Sequence, residues 1–312
     1  MGGEVLHPLF PLYFYPAKGV ERILIKLTRD EKVAYKMILP YAVLIVTLVI
    51  FLLITNVINS FKSPSDGAFT FQNYINCFTD PVVGRAMWNT VIWVLGSVVG
   101  QLSLGLLVAL LLNQSTKGQI IFRSLILILP WATLDIVAGV MWKWMYNDMY
   151  GVLNDLLMKM HLISDYIPWL ATENMAMLAV IIANIWKGFC LSGMFFLAGL
   201  QTIPTQLYEA AEIDGAGVFR RFWNITIPQL KPVIMTTLML TTIWTINYFP
   251  LIYIMTGGGP GYGTETVVTY IYKLGFKFLD FNKSAALSNI LFVIIFLIAF
   301  AFLKSISKEE VR

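Results

Sequence analysis

Six long apolar runs limit this chain more than any other feature. They span roughly Met37–Asn59, Val91–Leu112, Ile120–Tyr146, Met175–Leu200, Val233–Met255 and Ser284–Leu303. Each reaches or exceeds the about 20 residues that a helix needs to cross a bilayer. Barrel strands would instead be runs of about ten residues with alternating polarity. Composition agrees. The chain is 58% hydrophobic and 13% charged, with mean hydropathy +0.72, whereas a soluble domain is about a quarter charged. Lipid is the natural solvent for such a surface. The net charge of +4 is modest and gives no sign of nucleic-acid binding. The expected class is an all-α integral membrane protein with six transmembrane helices.

The placement of Lys and Arg predicts orientation. The two tails and the even-numbered connections carry fourteen, among them Lys18, Arg22, Lys117, Arg123, Arg220, Arg221 and Lys304. The odd-numbered connections carry six: Lys62, Arg85, Lys159, Lys273, Lys277 and Lys283. Both termini are expected to be cytoplasmic. The organisation expected is a tail over 1–36, a six-helix membrane domain over 37–305, and a short cytoplasmic tail over 306–312. Val20–Lys36 reads either as an interfacial amphipathic helix or as a basic tail. The first apolar residues are broken by Pro8, Pro11 and Pro16, unlike a signal peptide. Cys77, placed in a polar loop, and Cys190, in an apolar run, are expected to be free thiols.

Between the fourth and fifth runs lies "LYEAAEIDGAGVFRRFWNITIPQLKP", Leu207 to Pro232. It is polar and heavily punctuated for so apolar a chain. Thr205 is expected to cap a short helix "QLYEAAEID", placing Glu209 near its positive N-terminal end. Ala210 and Ala211 are small enough for another surface to approach. Gly215 and Gly217 permit a turn. A second short helix, "VFRRFWNI", presents Arg220 and Arg221, and Pro228 and Pro232 close the unit. The local expectation is a helix–turn–helix docking element over 201–232, against the alternative of an ordinary polar loop.

"EAAEIDGAGVFRRFWNITIPQLKP" resembles the EAA motif of permease subunits of binding-protein-dependent ABC importers. Glu209, Ala210, Ala211, Asp214, Gly215, Ile225, Pro228 and Pro232 match it. "AMWNT" at Ala86–Thr90, "GVLNDLL" at Gly151–Leu157, "LAGLQTIP" at Leu197–Pro204 and "TGGGP" at Thr256–Pro260 are similar to the MalF-like, sugar-importing subgroup. The resemblance leaves out the N-terminal 35 residues. It implies a MalF/MetI-like type I importer permease fold in which the loop is the coupling helix, with Glu209 to Gly215 docking into a cleft of the ATPase subunit.

Polar residues within the apolar runs point to a path, since they are costly against lipid. The fourth run carries Asn184, Trp186, Lys187, Cys190 and Ser192. The fifth carries Thr241, Thr242, Trp244, Thr245, Asn247 and Tyr248. Asn and Thr exchange hydrogen bonds with sugar hydroxyls, and Trp and Tyr rings cover pyranose faces. The alternative use of such groups is to bond helices together. The resemblance implies substrate contact at Asn184, Lys187, Gly188, Leu191, Thr241, Trp244, Thr245 and Tyr248. Lys187, Leu191 and Tyr248 depart from the family's residue types. Asp135, deep in the third run, is expected to form an intramembrane ion pair with Lys187. The alternative is that Lys187 meets an anionic substrate.

The expected function is that of one permease subunit of an ABC sugar importer in the bacterial cytoplasmic (inner) membrane. Its partners would be a second permease, two ATPase subunits and an extracytoplasmic sugar-binding protein docking around Asn147–Glu173 and Gly257–Lys283. No Walker loop or metal-ligand cluster is present, so no catalysis or cofactor is expected in this chain. ATP and Mg would belong to the ATPases. Alternatives are an importer of an anion, such as a uronate oligosaccharide or glycerol-3-phosphate, and an ion-coupled secondary transporter.

Overall fold

The computed structural model describes residues 29–64, 66–114 and 119–310. Most of Val20–Lys36 lies outside the described residues, and its last eight positions are the first turns of a long helix. Among the described residues thirteen α-helices follow one another: α1 Arg29–Ser60, α2 Gln72–Thr79, α3 Pro81–Leu112, α4 Gln119–Ala132, α5 Asp135–Met145, α6 Val152–Lys159, α7 Glu173–Thr202, α8 Thr205–Ile213, α9 Val218–Arg221, α10 Ile227–Asn247, α11 Pro250–Met255, α12 Val267–Phe276 and α13 Phe281–Glu310. A π-helical turn, Phe222–Thr226, joins α9 to α10. The chain divides into two units, Met1–Leu53 and Ile54–Arg312. In the first, α1 begins a span of mean hydropathy 2.9. Apart from the count of spans, all that follows concerns the second.

Five helical stretches are long and apolar enough to cross a membrane, and a bent pair makes six. The third run is not the single helix its composition predicts. It turns by 99° between α4 and α5. Pro130 already lacks a backbone donor within α4, and Thr133 Oγ1 bonds back to the Leu129 carbonyl at 2.9 Å. Asp135 is therefore the first residue of a new helix, not a charge buried within a continuous span. The second span starts ten residues before its apolar run. The Asp80 side chain accepts from Val82 N and Pro81 opens the helix, a favoured arrangement for a first turn.

The core is a seam between α3 and α7 built on small residues. A side chain at Gly96, Gly100 or Gly105 would collide with Ile181, Ile185 or Ser192 respectively. Small residues let two membrane helices approach to backbone contact. α10 packs on both, with Leu230 fully buried against Gly199.

The short motifs flanking the spans prove to be clasps at one end of the bundle. Asn89 Nδ2 donates to the carbonyls of Tyr262 (2.8 Å) and Glu265 (3.0 Å), and Thr90 Oγ1 accepts from Val267 N at 3.0 Å. "AMWNT" thus pins the loop that follows "TGGGP". Gly258 has φ +87°, and a side chain there would strike the Glu265 carboxylate, which pairs with Lys273. In "GVLNDLL", the fully buried Asn154 bonds Ile167 N, Ile167 O and the Trp169 indole.

Cys77 lies not in a loop but on α2, buried against Val83, Leu274 and Leu287. Burial pushes its thiol up to about 11, which leaves it unreactive. Both cysteines are free. Asp80 ties α3, α12 and α13 together by accepting from Lys283 Nζ at 2.7 Å and Tyr270 OH at 2.8 Å. Burial alone would raise this carboxyl. The bonds from Lys283, Tyr270 and Val82 N outweigh it and hold the group below its ordinary 3.8. A lowered carboxylate stabilises the fold above its unfolded value and ceases to as pH falls through the folded one. The thermal stability advantage of wild type over Asp80→Asn is expected to be constant above about pH 4 and to vanish below it. A pH-independent difference in unfolding temperature would contradict this.

Candidate functional site

Where α3, α7 and α10 meet beside the break between α4 and α5, they leave a cavity of about 130 Å³. Eight of the expected path residues line it: Asn184, Lys187, Gly188 and Leu191 from α7, Thr241, Trp244 and Thr245 from α10, and Tyr248 just beyond it. Three helical turns of α7 and two of α10 bring them to one wall each, at the spacing of residues three and four apart.

Two more lining residues were not anticipated, Gln101 and Trp131. Gln101 is 4% exposed and its amide donates to the Asn184 carbonyl at 3.1 Å. A side chain at Gly188 would overlap that amide, so the glycine makes room for it. Gln101 was legible as the lone amide in the second apolar run. Trp131 follows Pro130 and carried no signal beyond its type.

Other candidates lie elsewhere. The exposed Asn247 turns its amide back onto the Ile243 carbonyl at 2.9 Å and takes no part in the cavity. Trp186 packs edge-on against Trp142. Cys190 is buried beneath α4, and Ser192 faces Gly105 in the seam. Thr242 lines a separate, almost wholly apolar groove of about 580 Å³ between α3, α10 and α13. Periodicity alone does not say which face of an all-apolar helix is turned inward.

The polar character of the cavity is specific. Asn184 Nδ2 and Thr241 Oγ1 are buried, and neither has a hydrogen-bond partner among the described residues. Buried polar groups ordinarily find a partner, so both hold hydrogen-bonding capacity that no described residue uses. The Trp244 side chain is 57% exposed.

The expected ion pair is formed at the cavity wall. Lys187 Nζ lies 3.0 Å from Asp135 Oδ1 and also donates to the Thr133 carbonyl. Tyr248 OH donates to the same Asp135 oxygen at 2.7 Å. The bend after Thr133 leaves a carbonyl that no helix turn satisfies, and the ammonium takes it. The second break, between α10 and α11, falls at Tyr248, whose backbone is extended. Pro250 at the start of α11 has no donor to continue the ladder. The Trp93 indole takes up the Thr245 carbonyl at 2.9 Å. Both helix breaks thus flank the cavity, where irregular backbone is tolerated in a membrane protein.

The punctuated loop differs from expectation in detail. The cap of α8 is Pro204, without a side-chain bond, and Thr205 is already helical. Glu209 therefore sits mid-helix, and no acidic residue occupies the first turn. Gly215 makes the turn with φ +75°, after Asp214 has closed α8. No separate second helix is closed by prolines. Val218 onward runs through the π-helical turn directly into α10, with Pro228 in its first turn and Pro232 within it. A π-turn accommodates an extra residue in a continuous helix. α8 buries none of its residues, and Ile213, Val218 and Phe219 are all at least 75% exposed. Arg221 pairs with Glu212 at 3.1 Å across the turn, and Tyr208 OH meets Thr226 Oγ1 at 3.0 Å. The loop is thus held on the span while its outer face stays apolar and open, as at a protein contact.

Among the described residues, no group of three or more His, Cys, Asp or Glu could hold a metal ion.

Known proteins are similar to this chain in sequence and fold. The chain is 37% identical over 287 residues, 90% of its length and 92% of the relative's, to the sulfoquinovosyl glycerol transport system permease protein SmoG of Agrobacterium fabrum. It is 36% identical over 289 residues, 88% of its length and 94% of the relative's, to the trehalose/maltose transport system permease protein MalF of Thermococcus litoralis. A solved bacterial ABC transporter involved in import of the acidic polysaccharide alginate has the same fold. Its TM-score is 0.75 at 22% identity, covering 89% of this chain and 96% of that one. Residues 32–311 match the family described as binding-protein-dependent transport system inner membrane component. The chain belongs to that family and is a multi-pass permease of an ABC importer.

Proposed function

We propose that this permease moves a sugar or oligosaccharide through the cavity bounded by Asn184, Thr241 and Trp244. The observation that carries the reading is the pair of unpartnered buried polar groups beside an exposed indole face. Sugar hydroxyls both donate and accept, and pyranose rings present apolar C–H faces to an aromatic ring. The relatives named for trehalose/maltose and sulfoquinovosyl glycerol support a glycosidic cargo.

In this reading a second permease completes the path, and Glu209, Ala210, Ala211, Asp214 and Gly215 dock on one of two ATPase subunits. Those subunits bind ATP and Mg and hydrolyse the nucleotide. A binding protein delivers sugar to the opposite end, around Asn147–Glu173 and Gly257–Lys283. Both termini and the docking loop face the cytoplasm, with residues 1–36 and 306–312 flanking the membrane domain. Closure of the ATPases would switch the spans between inward-open and outward-open states. Movement between α4 and α5 and between α10 and α11 is favoured because each pair is already broken at the cavity.

The test is uptake of labelled oligosaccharide by the reconstituted transporter. Trp244→Ala combined with Asn184→Ala is expected to raise KM about tenfold or more, from loss of a ring contact and one hydrogen bond. An unchanged KM would remove this cavity from the path. A second reading, import of an anion, is favoured by Lys187 in the wall and by the relatives named for sulfoquinovosyl glycerol, a sugar sulfonate, and for sn-glycerol-3-phosphate.

A further inference from the structure

Lys187 decides between those readings by what surrounds it. Among the described residues it is the one charged residue lining the cavity. A free ammonium there would attract an anionic cargo. This ammonium is not free. Asp135 Oδ1 lies 3.0 Å away, and the Thr133 carbonyl takes a second proton. Tyr248 fixes the carboxylate from the other side. Of three ammonium protons, one is left for the cavity. The Lys187 side chain is 13% exposed and that of Asp135 36%, so water screens the pair only in part.

We propose that Asp135 makes this cavity selective for uncharged sugar units by cancelling the charge of Lys187. The proposal rests on the sugar reading above and deepens it. An anion approaching Lys187 would meet a dipole with a carboxylate fixed at its far end. The attraction of the ammonium is then largely offset by repulsion a few ångströms further on. A neutral hydroxyl loses little, because the remaining ammonium proton is still a donor. The other polar groups in the wall agree. Asn184 Nδ2 and Thr241 Oγ1 are uncharged groups without a partner among the described residues, suited to hydroxyls and carrying no charge to balance a carboxylate, sulfonate or phosphate. Asp135 is in this sense a specificity determinant acting through Lys187, and not a group that itself binds cargo.

Removing the carboxylate charge while keeping its shape uncovers the cation. The experiment compares binding of neutral disaccharides and of the corresponding uronic-acid disaccharides. It uses the purified complex of this chain with its partner permease and ATPases, and reads Kd from ligand-dependent thermal stabilisation. In wild type the neutral member of each pair should bind about tenfold tighter or more. Asp135→Asn should shift the ratio of the two Kd values toward the uronate by at least about tenfold. Asp135→Asn with Lys187→Gln should abolish that shift. Because the readout is a ratio within one protein, a lower yield of folded variant does not disturb it. Uronates binding wild type as tightly as neutral sugars would overturn the proposal and leave the sugar reading standing. So would a ratio unmoved by Asp135→Asn. Binding of neither class to wild type would end the sugar reading and this proposal with it.

Discussion

Gly105→Val is expected to leave almost no folded permease. An added Cβ at Gly105 would lie 2.8 Å from Ser192 Cβ, 2.9 Å from the Gly193 amide nitrogen and 3.1 Å from the Phe189 carbonyl oxygen. Two of those three atoms are backbone, so no rotamer change relieves the clash. α3 and α7 must separate where they form the centre of the bundle, and α10 packs on both. Overpacking a core costs about 1–3 kcal/mol when side chains can yield. Here they cannot, and Val adds two methyl groups more. Set against a total stability of about 5–15 kcal/mol, a cost beyond the top of that range takes a large share of the margin. Gly84→Ala, on the same helix with nothing within 4 Å of the added carbon, is the control and should be neutral or slightly stabilising. Purified yield and thermal unfolding of the two variants in detergent decide the matter. Equal stability would show that α3 and α7 do not depend on this close contact.

The second large effect is functional. Ile213→Asp with Phe219→Asp is expected to detach the ATPase while leaving the membrane domain folded. Both side chains are more than 80% exposed, and exposed substitutions ordinarily change stability by under about 0.5 kcal/mol. At a protein interface the same exposed apolar groups act as anchors. Their loss typically costs about 2 kcal/mol or more each, and burying a charge adds to it. The expected result is weaker co-purification of the ATPase by about a hundredfold or more, and loss of sugar-stimulated ATP hydrolysis with unchanged thermal unfolding of the permease. Retained assembly and uptake would place the ATPase contact elsewhere than on α8 and the turn after it.

Some of this was readable in advance for simple reasons. A bilayer demands a run of apolar residues of fixed length, so six spans follow from hydropathy, and six apolar stretches are found once the bent pair is taken as one. The punctuated loop stood out because polarity, glycines and prolines are costly or useless inside a span. Its register was misjudged. Pro204 rather than Thr205 precedes the first helical residue, and the expected second helix merges into α10 through a π-turn. The bond between Tyr208 OH and Thr226 Oγ1, which ties α8 to the π-turn, joins residues eighteen apart and is not visible to local preference. The path residues were chosen by type. The eight that matched a family pattern gather at one cavity, while Asn247 and Thr242, equally polar, face elsewhere.

From residue order alone came the number of spans, the polar joint between the fourth and fifth, and a list of polar groups costly enough in lipid to need a purpose. These depend on composition along the chain, which needs no neighbours to be read. The 99° turn after Thr133, the bond by which Tyr248 joins the expected Asp135–Lys187 pair, and the role of Gln101 came only from the tertiary structure. Each depends on atoms more than fifty residues apart meeting within hydrogen-bond distance. A proline weakens a helix, but it was a lysine from another helix, taking up the stranded carbonyl, that allowed the chain to turn there.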